Sequence, residues 1–175
     1  MAKWVALIRG VNVGGGNRLP MEALRAAFAA SGWQNVRTYI ASGNIVFEAA
    51  GDAPAIAATL HRVLTEGFSI KTPLLIIPEA SFRTAIAAAP VEPAEGRHLH
   101  GMFAMGDYSI DQPLADRLMS GSEAIYPQKG VVWIHAPEGI GRSKLAEKFD
   151  QVVQGTTVTG RNLNTLRALV RMLDD

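Results

Sequence analysis

The chain has 175 residues, of which 48% are hydrophobic and 19% charged, a composition typical of a globular protein with a substantial core. No apolar run approaches the roughly 18 to 20 residues that a membrane span needs, and no signal-peptide pattern is present, so we predict no membrane association. The absence of cysteine excludes disulfides, thiol catalysis and thiolate metal sites, and it agrees with a cytoplasmic location.

The net charge of +1 excludes the global basic surface that is typical of proteins that bind duplex nucleic acid. The charge is unevenly distributed along the chain. Residues 1–47 hold five basic residues and one acidic residue, residues 48–138 hold six and eleven, and residues 139–175 hold six and four. Positive charge therefore gathers in the two end segments, which would form a local anion-attracting site if they meet in space.

The first half of the chain predicts the element order β-α-β-β-α-β. Apolar runs closed by turn residues indicate the strands, and apolar residues at helical spacing indicate the helices. The predicted elements are a strand over residues 3–11, a helix over 20–30 that Gly32 ends, strands over 36–41 and 45–49, a helix capped by Asp52, and a strand over 70–77. This order is that of the split βαβ, or ferredoxin-like, arrangement.

The second half predicts a similar order with a modified C-terminal end. A helix over residues 79–88 leads to a linker-like stretch rich in proline and acid, residues 91–96, which we predict to separate domains of residues 1–90 and 97–175. The elements that follow are a strand over 98–105, a helix over 111–119, a hairpin of strands 122–126 and 131–135, a helix over 143–149, a short strand over 156–159 and an amphipathic helix over 162–173. We therefore predict an α+β fold of two ferredoxin-like subdomains in tandem.

Four loop stretches carry the candidate binding residues, because they combine glycine, positive charge, small polar side chains and starts of helices. Glycine lets backbone N–H groups approach a ligand, and arginine and lysine neutralise phosphate oxygens. The candidate ligand-binding residues are Arg9, Gly10, Asn12, Gly14, Gly15, Asn17 and Arg18 in the first stretch, Ser42, Gly43 and Asn44 in the second, Gly141, Arg142, Ser143 and Lys144 in the third, and Arg161 and Asn162 in the fourth.

Each stretch also has a purely structural interpretation. The first loop matches neither of the two common glycine-rich phosphate motifs, and Ser-Gly-Asn is ordinary turn chemistry. Whether this hairpin turn shares an edge with the exit of the first strand stays open at this point. Ser143 and Asn162 are good helix caps, which leaves Arg161 without a capping explanation.

Catalytic and metal sites have weak support. No serine has histidine and aspartate partners at recognisable spacing. His98 and His100 share a strand face, and His135 on a neighbouring strand would complete a three-histidine set, but no carboxylate or cysteine joins them, so we predict no metal and no cofactor.

The motifs taken together resemble the uncharacterised bacterial family known as domain of unknown function 1697. They are RGVNVGG from residue 9, NRLPM from residue 17, RTYIASGNIVF from residue 37, GIGRSKL from residue 139 and TGRNLNT from residue 159. The resemblance implies two α+β subdomains, the first ferredoxin-like, and it implies no catalytic residues, because the family has no established activity. The family often has an aromatic residue where this chain has Leu163.

The preferred hypothesis is a cytoplasmic protein that binds a small phosphate-bearing ligand at one composite site made of all four stretches. We rank such a ligand above nucleic acid because aromatic residues, which stack on bases, are only 7% of the chain. One alternative is an enzyme that acts on an anionic metabolite with help from Ser42 or Tyr39. The other is an interaction module in which the loops serve only to pack the subdomains.

Overall fold

Antiparallel strands and helices alternate through the whole chain in the computed structural model, which describes residues 1–175. The predicted α+β class is confirmed. Two units are distinguished, Met1–Thr84 with Ala168–Asp175 and Ala85–Arg167. The limits 1–90 and 97–175 for separately folding domains stay a prediction. No helix has both the length and the apolar character that crossing a membrane requires.

The first unit contains a four-stranded antiparallel sheet, two helices that connect its strands, most of a third helix that follows the last strand, and residues 168–175. Its strand order is β2-β3-β1-β4. The elements are β1 (Ala2–Ile8), α1 (Met21–Ala30), β2 (Gln34–Thr38), β3 (Asn44–Ala49), α2 (Ala53–Phe68) and β4 (Leu74–Pro78), and α3 (Glu79–Ala87) follows β4 directly.

The core of this unit joins one face of its sheet to α1 and α2. Trp4, Ala6 and Ile8 alternate along β1 and pack in one cluster with Leu24 of α1 and Leu60 of α2. An aromatic group of Phe28, Trp33 and Phe47 belongs to the same cluster, with the Trp33 and Phe47 rings stacked at 4.6 Å. The predicted cap of α2 is confirmed, since the Asp52 carboxylate accepts a hydrogen bond from the Ala55 N–H at 2.9 Å.

Three predicted strand ends in this unit are wrong, each for a backbone reason. The first strand ends at Ile8 rather than at residue 11, because Gly10 turns the chain with φ +68°. The second ends at Thr38 rather than at residue 41, because Ile40 has φ +48°, outside the strand region. The fourth begins at Leu74 rather than at residue 70, directly after Pro73, which has no N–H to donate to a ladder.

The second unit contains another four-stranded antiparallel sheet, in the order β10-β5-β8-β7, and a separate two-stranded sheet of β6 and β9. Its elements are β5 (Leu99–Ala104), β6 (Ser109–Ile110), α4 (Gln112–Leu118), β7 (Ala124–Gln128), β8 (Val131–His135), α5 (Lys144–Glu147), α6 (Phe149–Val152), β9 (Val153–Gln154), β10 (Val158–Asn162) and the start of α7 (Leu163–Asp174). Short 3₁₀ turns cover Gly96–His98 and Ile140–Arg142.

One face of the larger sheet in this unit packs against α4 to α6. Val132 and Ile134 of β8 form a cluster with Ala115, Leu145 and Phe149. The other face carries the fully buried Trp133, whose ring lies 3.3 Å from the position that a Cβ at Gly101 would occupy. Trp133 is therefore a core residue, as its position in a strand-like run predicts.

Three predictions for this unit need correction. The hairpin strand expected over residues 122–126 runs from Ala124 to Gln128, where it pairs with β8. The helix expected over residues 143–149 is two single turns, because Lys148 has φ −106° and ψ 20° and interrupts it. The short strand expected over 156–159 runs from Val158 to Asn162, and its ladder with β5 pairs Arg161 with Gly101. Strands β6 and β9 were not predicted, since two residues each give no periodic signal.

Candidate functional site

The first candidate stretch is a glycine-rich loop that closes on itself. Gly10, Gly14 and Gly15 have φ values of +68°, +59° and +78°. The Gly16 N–H donates to the Val13 carbonyl at 3.2 Å, and together they make an isolated β-bridge at the tip. The glycines therefore shape a tight turn, as the structural interpretation requires, and they leave an exposed tip with small side chains.

Asn12 holds this loop in place with its side chain. The amide Nδ2 donates to the Leu19 carbonyl at 2.7 Å and to the Ala41 carbonyl at 2.6 Å. The side-chain oxygen accepts from the Leu19 N–H at 2.7 Å. Asn12 itself has φ +55°, which asparagine tolerates better than most residues. The Asn12 side chain thus ties the loop to the hairpin that precedes β3.

The exit of β1 and the hairpin turn share one edge of the first sheet, which answers the question left open by the sequence. The Ile8 N–H donates to the Gly43 carbonyl at 2.9 Å. A Cβ at Gly43 would lie 2.8 Å from the Ile8 carbonyl oxygen and 2.8 Å from a methyl group of Val11. Thr72, just before β4, adds a third segment, because its hydroxyl donates to the Arg9 carbonyl at 2.7 Å.

Within the hairpin, Asn44 is fully buried and serves the turn. Its amide donates to the Tyr39 carbonyl at 3.2 Å and to the Ser42 hydroxyl at 3.1 Å. The turn chemistry expected of Ser-Gly-Asn is therefore present. Around it, Ile40 and Val13 are 57% exposed, and they are the large apolar side chains most open to solvent apart from Met1.

Positive charge at this edge is exposed on Arg18. Arg18 and the neighbouring Asn17 lie on the surface, and no hydrogen bond or ion pair involves either side chain. Arg9 is partly buried at the start of the loop. This edge therefore offers one fully exposed guanidinium beside a glycine turn.

Arg142, Ser143 and Lys144 of the third candidate stretch line a pocket of about 300 Å³ in the second unit, and Gly141 is not part of its lining. Arg142 and Lys144 contribute two cations, and Arg117 at the end of α4 contributes a third. Glu123 and Glu138 line the same pocket. The other lining residues are Leu118, Met119, Ser120, Gly139 and Ser143.

None of the five charged side chains of this pocket takes part in an ion pair. The Glu123 carboxylate accepts the Ser120 N–H at 2.8 Å, which fixes its position. The Ser143 hydroxyl accepts the Ala146 N–H at 3.0 Å, so Ser143 caps the following turn as predicted. The pocket therefore presents three cations and two carboxylates that form no ion pairs.

The fourth stretch lies where β10 ends and α7 begins. Arg161 is in β10 and partly buried, and its guanidinium donates to the Thr159 hydroxyl at 2.7 Å and to the Gly160 carbonyl at 2.8 Å. Burial lowers the pKa of Arg161 to about 10. Asn162 caps α7, because its side-chain oxygen accepts the Thr165 N–H at 2.9 Å. The capping interpretation thus accounts for Asn162.

The histidines do not form a metal centre. No group of three or more histidine, aspartate or glutamate side chains is placed to hold a metal ion. His100 has a buried Nδ1 atom without a hydrogen-bond partner, and burial, with a smaller effect of His98, lowers the pKa of His100 to about 4. The imidazole is therefore neutral near neutral pH.

A second, more open depression in the same unit, of about 800 Å³, lies between residues 104–110 and 127–130. The Tyr108 hydroxyl donates to the Gln128 carbonyl there, and burial raises the pKa of Tyr108. No predicted site residue lines this depression.

Sequence reasoning missed Arg117 and Glu123 as pocket residues. Arg117 is an ordinary basic residue in the last turn of a helix, and Glu123 follows a Ser-Gly-Ser turn. Neither has a motif around it. They join the pocket only because the end of α4 and the residues before β7 lie beside residues 139–144 in the folded structure.

A family model described as "Protein of unknown function (DUF1697)" matches residues 1–133 of this chain. The chain belongs to this family. The resemblance expected from the loop motifs is thereby confirmed. No curated protein matches the chain.

Among solved structures, this DUF1697 member is similar to a conserved bacterial protein, SP0830, from Streptococcus pneumoniae. The two share 22% sequence identity with a TM-score of 0.76, and the match covers 98% of each chain. At this identity the likeness shows the fold alone. It supports the α+β architecture along almost the entire chain.

Proposed function

We propose that this protein binds a small phosphate-bearing ligand, and that the pocket of Arg117, Arg142 and Lys144 holds the phosphate. The observation that carries the proposal is three cations, none in an ion pair, around one pocket of about 300 Å³. Pockets for small ligands begin at about this volume. Two guanidinium groups and one ammonium group are the donors that phosphate oxygens prefer.

The local backbone supports the same proposal. Gly139 has φ +101°, and a Cβ at Gly141 would meet nothing within 4 Å. Gly139 lines the pocket and adds no side chain to it, which leaves room for a ligand beside the cations. Ser143 is 6% exposed and fixed by its cap, so it anchors the segment that carries Arg142 and Lys144.

We propose in addition that the loop and hairpin of the first unit contact a phosphate-bearing ligand. The support is their common edge and the exposed Arg18, which forms no ion pair.

The experiment for the pocket is a calorimetric titration with AMP, inorganic pyrophosphate and a short single-stranded RNA. We expect saturable binding of AMP or pyrophosphate to the wild type. Arg117→Ala with Arg142→Ala should weaken it by at least roughly a hundredfold, since charge-assisted hydrogen bonds contribute about 1.5–3 kcal/mol each and two are lost. Arg62→Ala is the matched control, because Arg62 is exposed on α2 and also lacks an ion pair. No saturable binding, or equal binding by the double variant, refutes the proposal. Tighter binding of RNA than of either small anion would reverse the ranking of the two ligand classes.

We also propose that both units are of the ferredoxin-like type. The sheet order β2-β3-β1-β4 and the element order β-α-β-β-α-β support this for the first unit. In the second unit, β5, β7, β8 and β10 taken in chain order occupy the same relative places as β1 to β4. The two-residue strands β6 and β9 would then be an addition to the common pattern.

A further inference from the structure

The pocket of the second unit is of mixed charge, and the two carboxylates limit which phosphate compounds it can hold. A bare phosphate would be attracted by the three cations and repelled by Glu123 and Glu138 in the same 300 Å³. Both carboxylates line the pocket without a cation to neutralise them. A ligand that fills the pocket must therefore satisfy acceptors as well as donors.

We propose, building on the phosphate site above, that the ligand is a small phosphate monoester that also carries a protonated amine. The three cations and two carboxylates give the pocket a net charge of +1. A phosphate monoester carries about −1.5 to −2 near neutral pH, and an ammonium group brings the net charge of the ligand to about −0.5 to −1. Charge is thus matched in total, and each ligand group finds partners of opposite sign.

The positions of the carboxylates favour an amine as the second group. The Glu123 carboxylate is fixed through one oxygen by the Ser120 N–H at 2.8 Å, and its other oxygen has no such partner. Glu138 directly precedes Gly139 in the segment that leads to Arg142. Ionised carboxylates only accept hydrogen bonds, and an ammonium group donates three. A methyl group at the same place offers no donor to either carboxylate.

Two apolar side chains, Leu118 and Met119, also line the pocket. Their side chains provide contacts for a short carbon chain that separates the phosphate from the amine. The lining therefore fits an aminoalkyl phosphate better than it fits inorganic phosphate or pyrophosphate.

The test compares phosphoethanolamine with propyl phosphate, in which a methyl group replaces the ammonium group at equal chain length. We expect phosphoethanolamine to bind the wild type roughly tenfold more tightly in calorimetric titrations near neutral pH. Glu138→Gln should reduce this preference severalfold and leave the affinity for propyl phosphate the same or higher. Glu147→Gln is the control, because Glu147 is exposed on α5 and is not part of the pocket lining.

Glu123→Gln is a second variant with the same expectation, and its side-chain oxygen can still accept the Ser120 N–H, which protects folding. Equal or tighter binding of propyl phosphate to the wild type would overturn the amine proposal and leave the phosphate site standing. A preference that survives in both glutamine variants would overturn the role of the carboxylates. Failure of both compounds, together with AMP and pyrophosphate, would overturn the phosphate site itself.

Discussion

Replacing Gly43 by alanine tests the close contact that brings the hairpin to the exit of β1. Gly43 has φ +82°, and its added Cβ would lie 2.8 Å from the Ile8 carbonyl oxygen, 2.8 Å from a Val11 methyl carbon and 3.0 Å from the Ile8 Cβ. Backbone atoms at such distances cannot give way without moving the strand. The substitution therefore combines backbone strain with a steric clash.

The expected cost follows from these two contributions. An alanine in the left-handed region costs about 1–2 kcal/mol, and overpacking a tight site costs about 1–3 kcal/mol. The lower entropy of the unfolded chain returns about 0.4–1 kcal/mol. We expect Gly43→Ala to lower the free energy of unfolding of the first unit by about 3 kcal/mol.

Gly32→Ala is the matched control, because Gly32 has φ +83° and nothing within 4 Å of its added Cβ. It isolates the backbone strain, and we expect it to cost about 1 kcal/mol. Urea unfolding measures both values. Hydrogen exchange of the Ile8 amide, which donates to the Gly43 carbonyl at 2.9 Å, places the effect at this contact. If the two variants lose the same stability, the close approach of Gly43 to Ile8 is not what requires glycine.

Three further predictions concern stability. Ile40→Asn should raise the free energy of unfolding by about 1 kcal/mol, because Ile40 is 57% exposed and has φ +48°, which asparagine tolerates better than isoleucine. Val13→Asn should give no such gain in the same urea assay, because Val13 is equally exposed but has no positive φ. Asn12→Ala should lower the free energy of unfolding by about 2 kcal/mol, because it removes three hydrogen bonds between 2.6 and 2.7 Å. Asn17→Ala, at an exposed position, should cost much less, and thermal unfolding measures both variants. The pKa of His100 is about 4 in the folded protein and about 6.5 in the unfolded chain, so the unfolded state binds more protons between these two pH values. The free energy of unfolding should therefore fall by about 2–3 kcal/mol from neutral pH to pH ~4.5. Urea unfolding at both pH values checks this, and an unchanged pH dependence in His100→Leu would contradict the assignment.

Local sequence predicts the elements well wherever a single helix or strand carries its own signal. The strand at Val131–His135 has the predicted limits, and α2 begins after its predicted cap, Asp52. The helix α7 buries Leu163, Leu166, Leu169 and Leu173, as the spacing of its leucines predicts. These features follow from side-chain periodicity and capping, which act over a few neighbouring residues.

Element ends are less predictable, because the pairing partner decides them. Val11 is apolar and buried like a strand residue, but Gly10 turns the chain before it and Arg9 donates its N–H to the Pro73 carbonyl at 3.0 Å. Arg161 has the context of a helix start and lies instead in β10, because its ladder with β5 extends that far. Such outcomes depend on residues distant in the chain.

The sequence by itself determined the α+β class, the family, and the four stretches in which glycine and positive charge concentrate, because composition, motifs and periodicity are local properties. Only the tertiary structure decided that the glycine-rich loop and the Ser42–Asn44 turn share one edge, and that Arg117 and Glu123 join Arg142 in one pocket. The physical reason is that close approach and unpaired charge arise from packing between segments far apart in the chain. The need for glycine at position 43, for example, becomes visible only in the folded structure, where Ile8 and Val11 leave no room for a Cβ.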